Sequence, residues 1–576
     1  MITHEVLNQV PPREGIDEFA DDAPLVEAVT RWGTAAFSGA TGTEADGAPT
    51  ALHELGRLVG GAAFQRDAEL ANTNPPRLVT HDRWGNRIDE VEYDDAYHRI
   101  MTAALAAGAH TSAWADPRPG ANADRAAAFL LLAQVEPGHA CPVSMTHAAV
   151  ATLEHAADGL QAEWMPRLLS RAYEPALGVG RPVAGGDGAD RDGGAVKPSA
   201  LVGMAMTEKQ GGSDVRANTT RAARRAGGGI RSEWGVEYGL TGHKWFCSAP
   251  MSDAFLVLAQ APGGLSCFFV PRVLPDGTRN VVRIQRLKDK LGNRSNASSE
   301  IELDDTAAWL VGEEGRGVAT IVQMVTRTRL DCVIGTAAGM RQAVAEAAWH
   351  VRHRRAFGAL LVDQPAMAAV VADLALESEA ATLTSLRLAR AYDVDATESE
   401  QAFRRLATAV AKFQVCKRGP EHAAEALECL GGNGYTEAFP LARRYREQPL
   451  LAIWEGSGNV IALDVLRVLA REPDAFMAFF DVVGEAAGEH PAFDLALAEA
   501  RAVVAELSEA DAASAAFRAR ELTERLALVL QASLLLQYSP APVADAFVRS
   551  RLEGDGGSMY GALPPGVDIG AILARA

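Results

Sequence analysis

A change of texture in the middle of the chain limits the possible folds more than any other feature. Between Leu201 and Leu303, short apolar runs (Leu201–Met206, Ala254–Ala259, Leu265–Val270, Val281–Arg286, Glu300–Leu303) are separated by Gly, Pro, Asn and Asp turns, the punctuation of β-strands. On either side, apolar residues recur at three- and four-residue spacing, as amphipathic helices require. The helical pattern covers about Pro24 to Tyr173, including Ala96–Ala107 and Ala123–Val135. It returns after Gly315 through Arg341–Arg355, Pro365–Tyr392 and Glu400–Lys417 to Arg467, with helices long enough for a bundle. A last helical stretch, clearest at Phe493–Leu507 and Ala513–Gln537, precedes a Gly/Pro-rich end expected to be loosely ordered.

The expected fold is therefore α+β, mainly α, in four blocks. Residues 1–198 form an N-terminal helical domain with a leading extension, and 199–312 a middle β-domain. Residues 313–470 form a four-helix bundle and 471–576 an additional C-terminal helical segment. The length of 576 residues exceeds what one core holds. With 48% hydrophobic and 22% charged residues the chain is neither disordered nor membrane-embedded. Frequent alanine and only 6% aromatics favour helix over sheet.

A formal charge of −19 opposes non-specific attraction to nucleic acid or anionic membrane. The six cysteines, Cys141, Cys247, Cys267, Cys332, Cys416 and Cys429, form no CxxC pair. Neither a disulfide framework nor a zinc ribbon is expected, and a reducing cytoplasm fits. The opening MITHEVLNQVPPREG lacks signal architecture, and the most apolar stretch, Leu526–Leu536, is interrupted by Gln531 and too short to span a bilayer. Asp187, Asp190 and Asp192 in the Gly-rich run Gly185–Gly194 miss the spacing of a calcium loop, and no metal is expected.

Five short pieces carry chemistry. MAMTEKQGGS (Met204–Ser213) begins as a strand and ends in a Gly-Gly-Ser turn whose main-chain N–H groups can hold phosphate. TGHKWFCS (Thr241–Ser248) is a second strand with an aromatic pair, Trp245 and Phe246, and a hydroxyl at Ser248. HRRAFG (His353–Gly358), followed by Gln364, puts a basic cluster at a helix end, and ECLGGNGY (Glu428–Tyr435) ends another helix in glycines. IWEGSGN (Ile453–Asn459) sets a carboxylate between a tryptophan and a glycine turn, an apolar setting that raises a carboxyl pKa and suits a general base. Taken singly, each has an ordinary reading as hairpin turn, core aromatic pair, helix cap or surface glutamate.

Together, in this order and spacing, the five pieces resemble the acyl-CoA dehydrogenase family from about Asn72 to Arg467. TEKQGGSDVRANTTRA, GHKWFCSAPMSDAFLVLAQ, GGLSCFFVPR, RLKDKLGNRSNAS and VCKRGPEHAAEALECLGGNGY are similar to its AidB branch, bacterial flavoproteins associated with the response to DNA alkylation. LNQVPP near the N-terminus, NTNPPRL (Asn72–Leu78) and the segment after Arg467 extend that likeness to nearly the whole chain.

The resemblance implies FAD as cofactor, the family's α-β-α core with a C-terminal helical extension, and a homotetramer. It implies abstraction of the proton α to a thioester, with hydride leaving the β-carbon for the flavin. The base is Glu455, because the alternative position used by a minority of the family is Thr328 here. Thr207 and Ser248 would bond the flavin ring, and Phe246 would stack where many relatives have tryptophan. Gly212 and Ser213 would hold phosphate, with Met204, Met206 and Cys247 lining the cofactor. Arg354, Phe357, Gln364, Glu428, Gly431 and Gly432 would reach FAD across a subunit contact, and Trp454, Gly456, Ser457 and Asn459 would complete its site. Glu428 departs from the family's glutamine and puts a negative charge near phosphate. Ser213, Arg329 and Trp454 would contact the acyl-CoA-like substrate, Trp454 narrowing the site against long chains.

Three functions compete at this stage. One is an acyl-CoA dehydrogenase passing electrons to an electron-transfer flavoprotein. Another is a DNA-binding flavoprotein of the alkylation response with vestigial dehydrogenase activity. A redox-inert scaffold retaining FAD is a third. Residues 471–576 hold eight arginines and no lysine against sixteen Asp and Glu, and DNA binding requires cations facing phosphate. With only Arg518, Arg520 and Arg525 on one expected helix and Arg549 with Arg551 nearby, the expectation is weak, salt-dependent DNA binding at best.

Overall fold

The computed structural model describes residues 3–34, 51–177, 197–225 and 232–576. Asp187, Asp190 and Asp192 lie outside them. The chain groups into two compact units, one of residues 66–116 and 136–328, the other of residues 1–65, 117–135 and 329–576.

The first unit is built around the β-textured stretch. Strands β1 (Arg77–His81) and β2 (Arg87–Glu92) form an antiparallel hairpin. It interrupts a block expected to be helical throughout. Asp82 decides this locally: its carboxylate accepts from the backbone N–H of Trp84 and of Asn86, both at 2.9 Å, and so closes the turn. The remaining strands are β3 (Val202–Ala205), β4 (Arg221–Arg224), β5 (Glu237–Ser248), β6 (Ala254–Ala261), β7 (Gly264–Pro271), β8 (Val282–Leu287) and β9 (Ser298–Val311). β4, β5, β9, β7 and β6 pair in sequence, and β6 touches β4 again at Gln260 and Arg221, so the sheet closes on itself. β3 lies parallel to β6, and β8 pairs with β9. Phe255, Phe268, Ile284, Ile301 and Leu303 fill the core, and Val91 of the hairpin joins it. The helices Asp95–Ala106, Ala140–Leu153 and Asp158–Leu168 belong to the same unit.

The second unit is helical. Its long elements are the C-terminal part of Gly317–His353, then Pro365–Arg390, Glu398–Cys429 and Gly458–Arg471. The helix Ala121–Val135 is buried along nearly its whole length. Asp393 holds its N-terminus by accepting from the N–H groups of Gly120 and Asn122 at 2.7 and 2.8 Å. Four further helices, Pro473–Gly484, Pro491–Glu509, Ala512–Tyr538 and Ala541–Val548, join this unit, and Ala512–Tyr538 packs on Pro365–Arg390, Glu398–Cys429 and Gly458–Arg471.

The chain end, expected to be loose, is tied down. Arg575 forms ion pairs with Glu27 at 2.7 Å and Glu379 at 3.0 Å, and Arg352 donates to the carbonyl of Leu573 at 2.7 Å. Composition signals turns, but it does not show which turns find partners. No helix among the described residues is long and apolar enough to cross a membrane.

Candidate functional site

In the first unit, β3 runs out at Ala205 and delivers Met206, Thr207 and Glu208 to the end of the sheet. Glu208 is fully buried and accepts from Thr219 N, Thr220 N and Thr220 Oγ1 at 2.7, 3.1 and 2.6 Å, and from Lys244 Nζ at 2.8 Å. Burial alone would raise its carboxyl pKa, but the Lys244 ammonium and the threonine donors hold it well below the carboxylate range. Lys244 also donates to the Leu258 carbonyl at 2.7 Å. This buried pair fixes β3 against β5. It went unrecognised in the sequence, although a lysine inside an apolar strand run is its signal.

Thr207 then closes onto β5, its carbonyl accepting from Trp245 N at 2.9 Å. There β5 bulges: Trp245 and Phe246 together oppose Glu300 alone, because the register passes from Lys244 with Ile301 to Cys247 with Ser299. A bulge turns a side chain out of the alternation, and Phe246 stands 49% exposed. The Lys288 ammonium lies 3.2 Å from the Trp245 ring centre and 4.7 Å from that of Phe246. Ser248 Oγ lies 3.1 Å from Ser298 Oγ. Gly212 and Ser213 are exposed, and a Cβ at Gly212 would stand 2.7 Å from Thr207 Oγ1, so only glycine leaves that hydroxyl open. Met204 is half-buried on β3. Cys247 sits in the sheet core with a fully buried side chain, so it could offer a ligand only its main chain.

In the second unit, Glu455 sits in a tight turn before the helix Gly458–Arg471 with φ of +60°, the left-handed region that a glutamate seldom occupies. Two cations secure successive carbonyls of the turn: Arg329 Nε donates to Glu455 O at 3.0 Å and the buried Lys412 Nζ to Gly456 O at 2.5 Å. Arg329 is itself held by Asp464 at 2.8 Å. Burial would raise the Asp464 carboxyl, but Arg329, Arg405 and Arg467 hold it low. Trp454 packs on Cys332, Cys416 and Leu451, and its buried Nε1 has no hydrogen-bond partner among the described residues. Ser457 is the N-cap of the following helix, and Asn459 accepts from Arg520 at 3.0 Å. Lys412 was not singled out from the sequence, though a lone lysine in AVAKFQVC marks it.

The basic helix end forms a two-residue hairpin, Arg355–Ala356 against Ala359–Leu360, turned by Phe357 at φ +52° and Gly358 at +86°. The Phe357 ring is 98% exposed. Arg354 donates to the Asn8 carbonyl, and the Asn8 amide pairs both ways with the Arg355 backbone at 2.9 and 3.0 Å, so the LNQVPP segment braces this hairpin. Gln364 donates to Ala356 O at 2.8 Å and thus also supports the turn. Glu428, Gly431 and Gly432 are exposed where the helix Glu398–Cys429 runs out. The sequence-predicted residues thus form two constellations, one in each unit. Among the described residues no three metal-ligating side chains are grouped.

A closed β-domain between helical blocks, with a carboxylate held in a cation-braced turn, defines a class, and the comparisons agree with it. The acyl-CoA dehydrogenase middle domain matches residues 203–306 and the acyl-CoA dehydrogenase C-terminal domain residues 315–470, while the adaptive response protein AidB N-terminal domain matches residues 8–175. The chain belongs to the acyl-CoA dehydrogenase family, in its AidB branch. It is 43% identical to the Escherichia coli (strain K12) protein named "Putative acyl-CoA dehydrogenase AidB", over 96% of this chain and 95% of that one. Its fold is shared with Caenorhabditis elegans ACDH-11 solved in complex with C11-CoA (TM-score 0.83, 24% identity, 96% of this chain and 94% of that one). It is shared also with a Bacillus anthracis acyl-CoA dehydrogenase complexed with FAD (TM-score 0.62, 16% identity, 80% and 81%).

Proposed function

We propose that this chain is an FAD-dependent acyl-CoA dehydrogenase in which Glu455 is the base. The observation that carries this reading is the strained turn at Glu455, whose own carbonyl and the next one, of Gly456, are anchored by Arg329 and Lys412. Left-handed backbone at a non-glycine residue costs about 1–3 kcal/mol and persists where the surroundings enforce it, commonly at active sites.

The residues present fit FAD. Gly212 leaves Thr207 Oγ1 open, Ser213 and Gly212 present exposed main chain for phosphate, and the bulge exposes Phe246 for stacking. The orphaned Trp454 Nε1 suits an acceptor from a bound group. When bound, FAD supplies the acceptor for the hydride that leaves the β-carbon. The Glu455 carboxylate takes the proton from the α-carbon of the thioester. Arg329 and Lys412, by holding the successive carbonyls of Glu455 and Gly456, keep that carboxylate aimed. Trp454 narrows the acyl site, so short chains are the preferred substrates. The named complexes with C11-CoA and with FAD in proteins of the same fold support these ligand classes.

Three further features complete the reading. The exposed rings of Phe357 and Tyr435 support a homotetramer in which the hairpin and the Glu428–Gly432 turn meet a neighbour's cofactor. All six cysteines are free and buried, which suits a reducing cytoplasm. An electron-transfer flavoprotein is the expected electron acceptor. The arginines of the C-terminal segment favour the enzyme over the DNA-binding reading. Arg518 pairs with Glu506 and Glu521, Arg525 with Glu499 and Glu521, Arg549 with Asp545, and Arg551 with Asp373 and Glu377. The decisive experiment measures bleaching of the protein's FAD by acyl-CoA esters of graded length. Reduction by short esters supports the reading. No reduction by any ester, or faster reduction by long chains than by short, overturns the activity or the role of Trp454 respectively.

A further inference from the structure

The last residue of β5 carries a hydroxyl whose hydrogen-bonding role is settled by side chains behind it. Cys247 points into the sheet core, so by the alternation of a strand Phe246 and Ser248 stand together on the opposite face. Ser248 lies opposite Ser298 of β9 in the strand register, with their Oγ atoms 3.1 Å apart. The distance alone allows either serine to donate. A third residue decides between them.

Lys290 Nζ donates to Ser298 Oγ at 3.0 Å and to the Asn296 carbonyl at 2.6 Å. An ammonium has hydrogens to give and no lone pair, whereas a serine hydroxyl has one hydrogen and two lone pairs. Ser298 Oγ therefore accepts from Lys290 and keeps its own hydrogen for another oxygen. Ser298 is only 3% exposed, and Ser248 Oγ is the one acceptor its hydroxyl meets among the described residues. Leaving a buried hydroxyl hydrogen unpaired costs about 1–3 kcal/mol, so Ser298 donates and Ser248 accepts. The hydrogen of Ser248 then has no acceptor among the described residues and is left for a group outside the chain, beside the partly exposed Phe246. Main-chain contacts pin both serines: Lys288 N donates to the Ser298 carbonyl at 2.8 Å, and Ser299 Oγ to the Cys247 carbonyl at 2.9 Å.

We propose, on the reading that this chain holds FAD, that Ser298 and Lys290 are positioning residues that commit Ser248 to donate, and never to accept, toward the flavin ring. The line of hydrogen bonds runs one way, from the Lys290 ammonium through the Ser298 hydroxyl to that of Ser248. Each bond polarises the next, a strengthening of about 10–30% per bond. Ser248 so held selects a ring position that presents an acceptor. Without Ser298 behind it, the same hydroxyl is free to rotate between donating and accepting, and the contact loses its preorganisation.

Titration of the full-length apoprotein with FAD tests this, reading the Kd and the visible absorption bands of the bound flavin, which respond to hydrogen bonds on its ring. Neither quantity requires turnover of an acyl-CoA. Ser248→Ala should weaken FAD by about tenfold and displace the bands, the upper end of one hydrogen bond's net worth. Ser298→Ala, which leaves the Ser248 hydroxyl in place, should weaken FAD by about threefold and displace the bands in the same direction, since it removes orientation rather than the bond itself. In the double variant, loss of Ser298 should add nothing to loss of Ser248, because Ser298 acts only through that hydroxyl. If Ser298→Ala fails to fold, Lys290→Met, which keeps both serines, is compared with and without Ser248→Ala, and its band displacement should likewise vanish without the Ser248 hydroxyl. Wild type that binds FAD while Ser298→Ala leaves Kd and bands unchanged overturns this inference alone. Equal weakening by Ser298→Ala with and without Ser248 makes Ser298 merely structural and also overturns it. Wild type that binds no FAD overturns the cofactor reading, and this inference with it.

Discussion

The guanidinium of Arg520 donates to the side-chain oxygen of Asn459 at 3.0 Å, joining the additional C-terminal segment to the turn that holds Glu455. Arg520 also lies over the Phe413 ring at 5.2 Å, and a Cβ at Gly458 would stand 3.3 Å from its Nη1. Arg520→Ala should therefore lower stability by about 0.5–1.5 kcal/mol, the usual net worth of one hydrogen bond. Because the turn loosens, it should also slow flavin reduction by a short acyl-CoA. Unchanged reduction kinetics would confine Arg520 to packing.

Glu455→Gln should keep FAD bound and cut reduction by at least ~10²-fold, since a general base contributes about 10²–10⁴. Glu455→Gly should lose as much activity yet gain of order 1 kcal/mol in stability by relieving the left-handed strain at φ +60°. Stopped-flow reduction together with thermal unfolding of both variants checks the pair. A Gly variant that is less stable than the Gln variant would show that the turn is not strained.

Breaking one side of the buried pair of Glu208 and Lys244 should be severe. Lys244→Met leaves an uncompensated carboxylate in the sheet core and should cost about 3–5 kcal/mol. The double variant Glu208→Gln with Lys244→Met should recover part of that loss. A single-variant cost under about 1 kcal/mol in denaturant unfolding would mean that water reaches Glu208.

Acid stability should depend on Glu136. Burial raises its carboxyl, but bonds from His139, Ser295 and Asn72 outweigh that and bring its pKa from 4.5 to about 2. A depressed carboxylate contributes stability that is complete above the unfolded value and is lost as pH falls toward the folded one. The gap between wild type and Glu136→Gln should thus be widest above about pH 5, where a shift of this size is worth ~3 kcal/mol, and should shrink from pH 4.5 to 2. Thermal midpoints across that range test it, and a gap that does not change with pH would refute it.

Phe357→Asn should preserve the turn, because asparagine tolerates the left-handed conformation, while removing a ring that is 98% exposed. Fold stability should hold, whereas the assembly seen by sedimentation and the retained FAD should both decrease. Retention of both would remove Phe357 from the subunit contact.

Duplex DNA should bind weakly at near-physiological salt, and the Arg518/Arg520/Arg525 triple-alanine variant should not change that, since glutamates or Asn459 already engage each guanidinium. Tight binding that the triple variant loses would reverse the preference for the enzyme reading.

Much of this was written in the sequence because it depends on local pattern. The strand runs from Leu201 to Leu303 and the helices after Gly315 follow from residue spacing and turn chemistry, which neighbours along the chain decide. The motifs around Thr207, Trp245, Phe357 and Glu455 were equally legible as order and spacing. Tertiary structure alone decided what those residues are held by. Glu208 meets Lys244 through strand register, a one-residue bulge turns Phe246 outward, and Arg329, Lys412 and Arg520 reach the Glu455 turn from 126, 44 and 61 residues along the chain from their partners. A side chain's spacing in sequence says which face it shares, but its charge acts over a few ångströms, and only the packed fold brings such distant groups within that range.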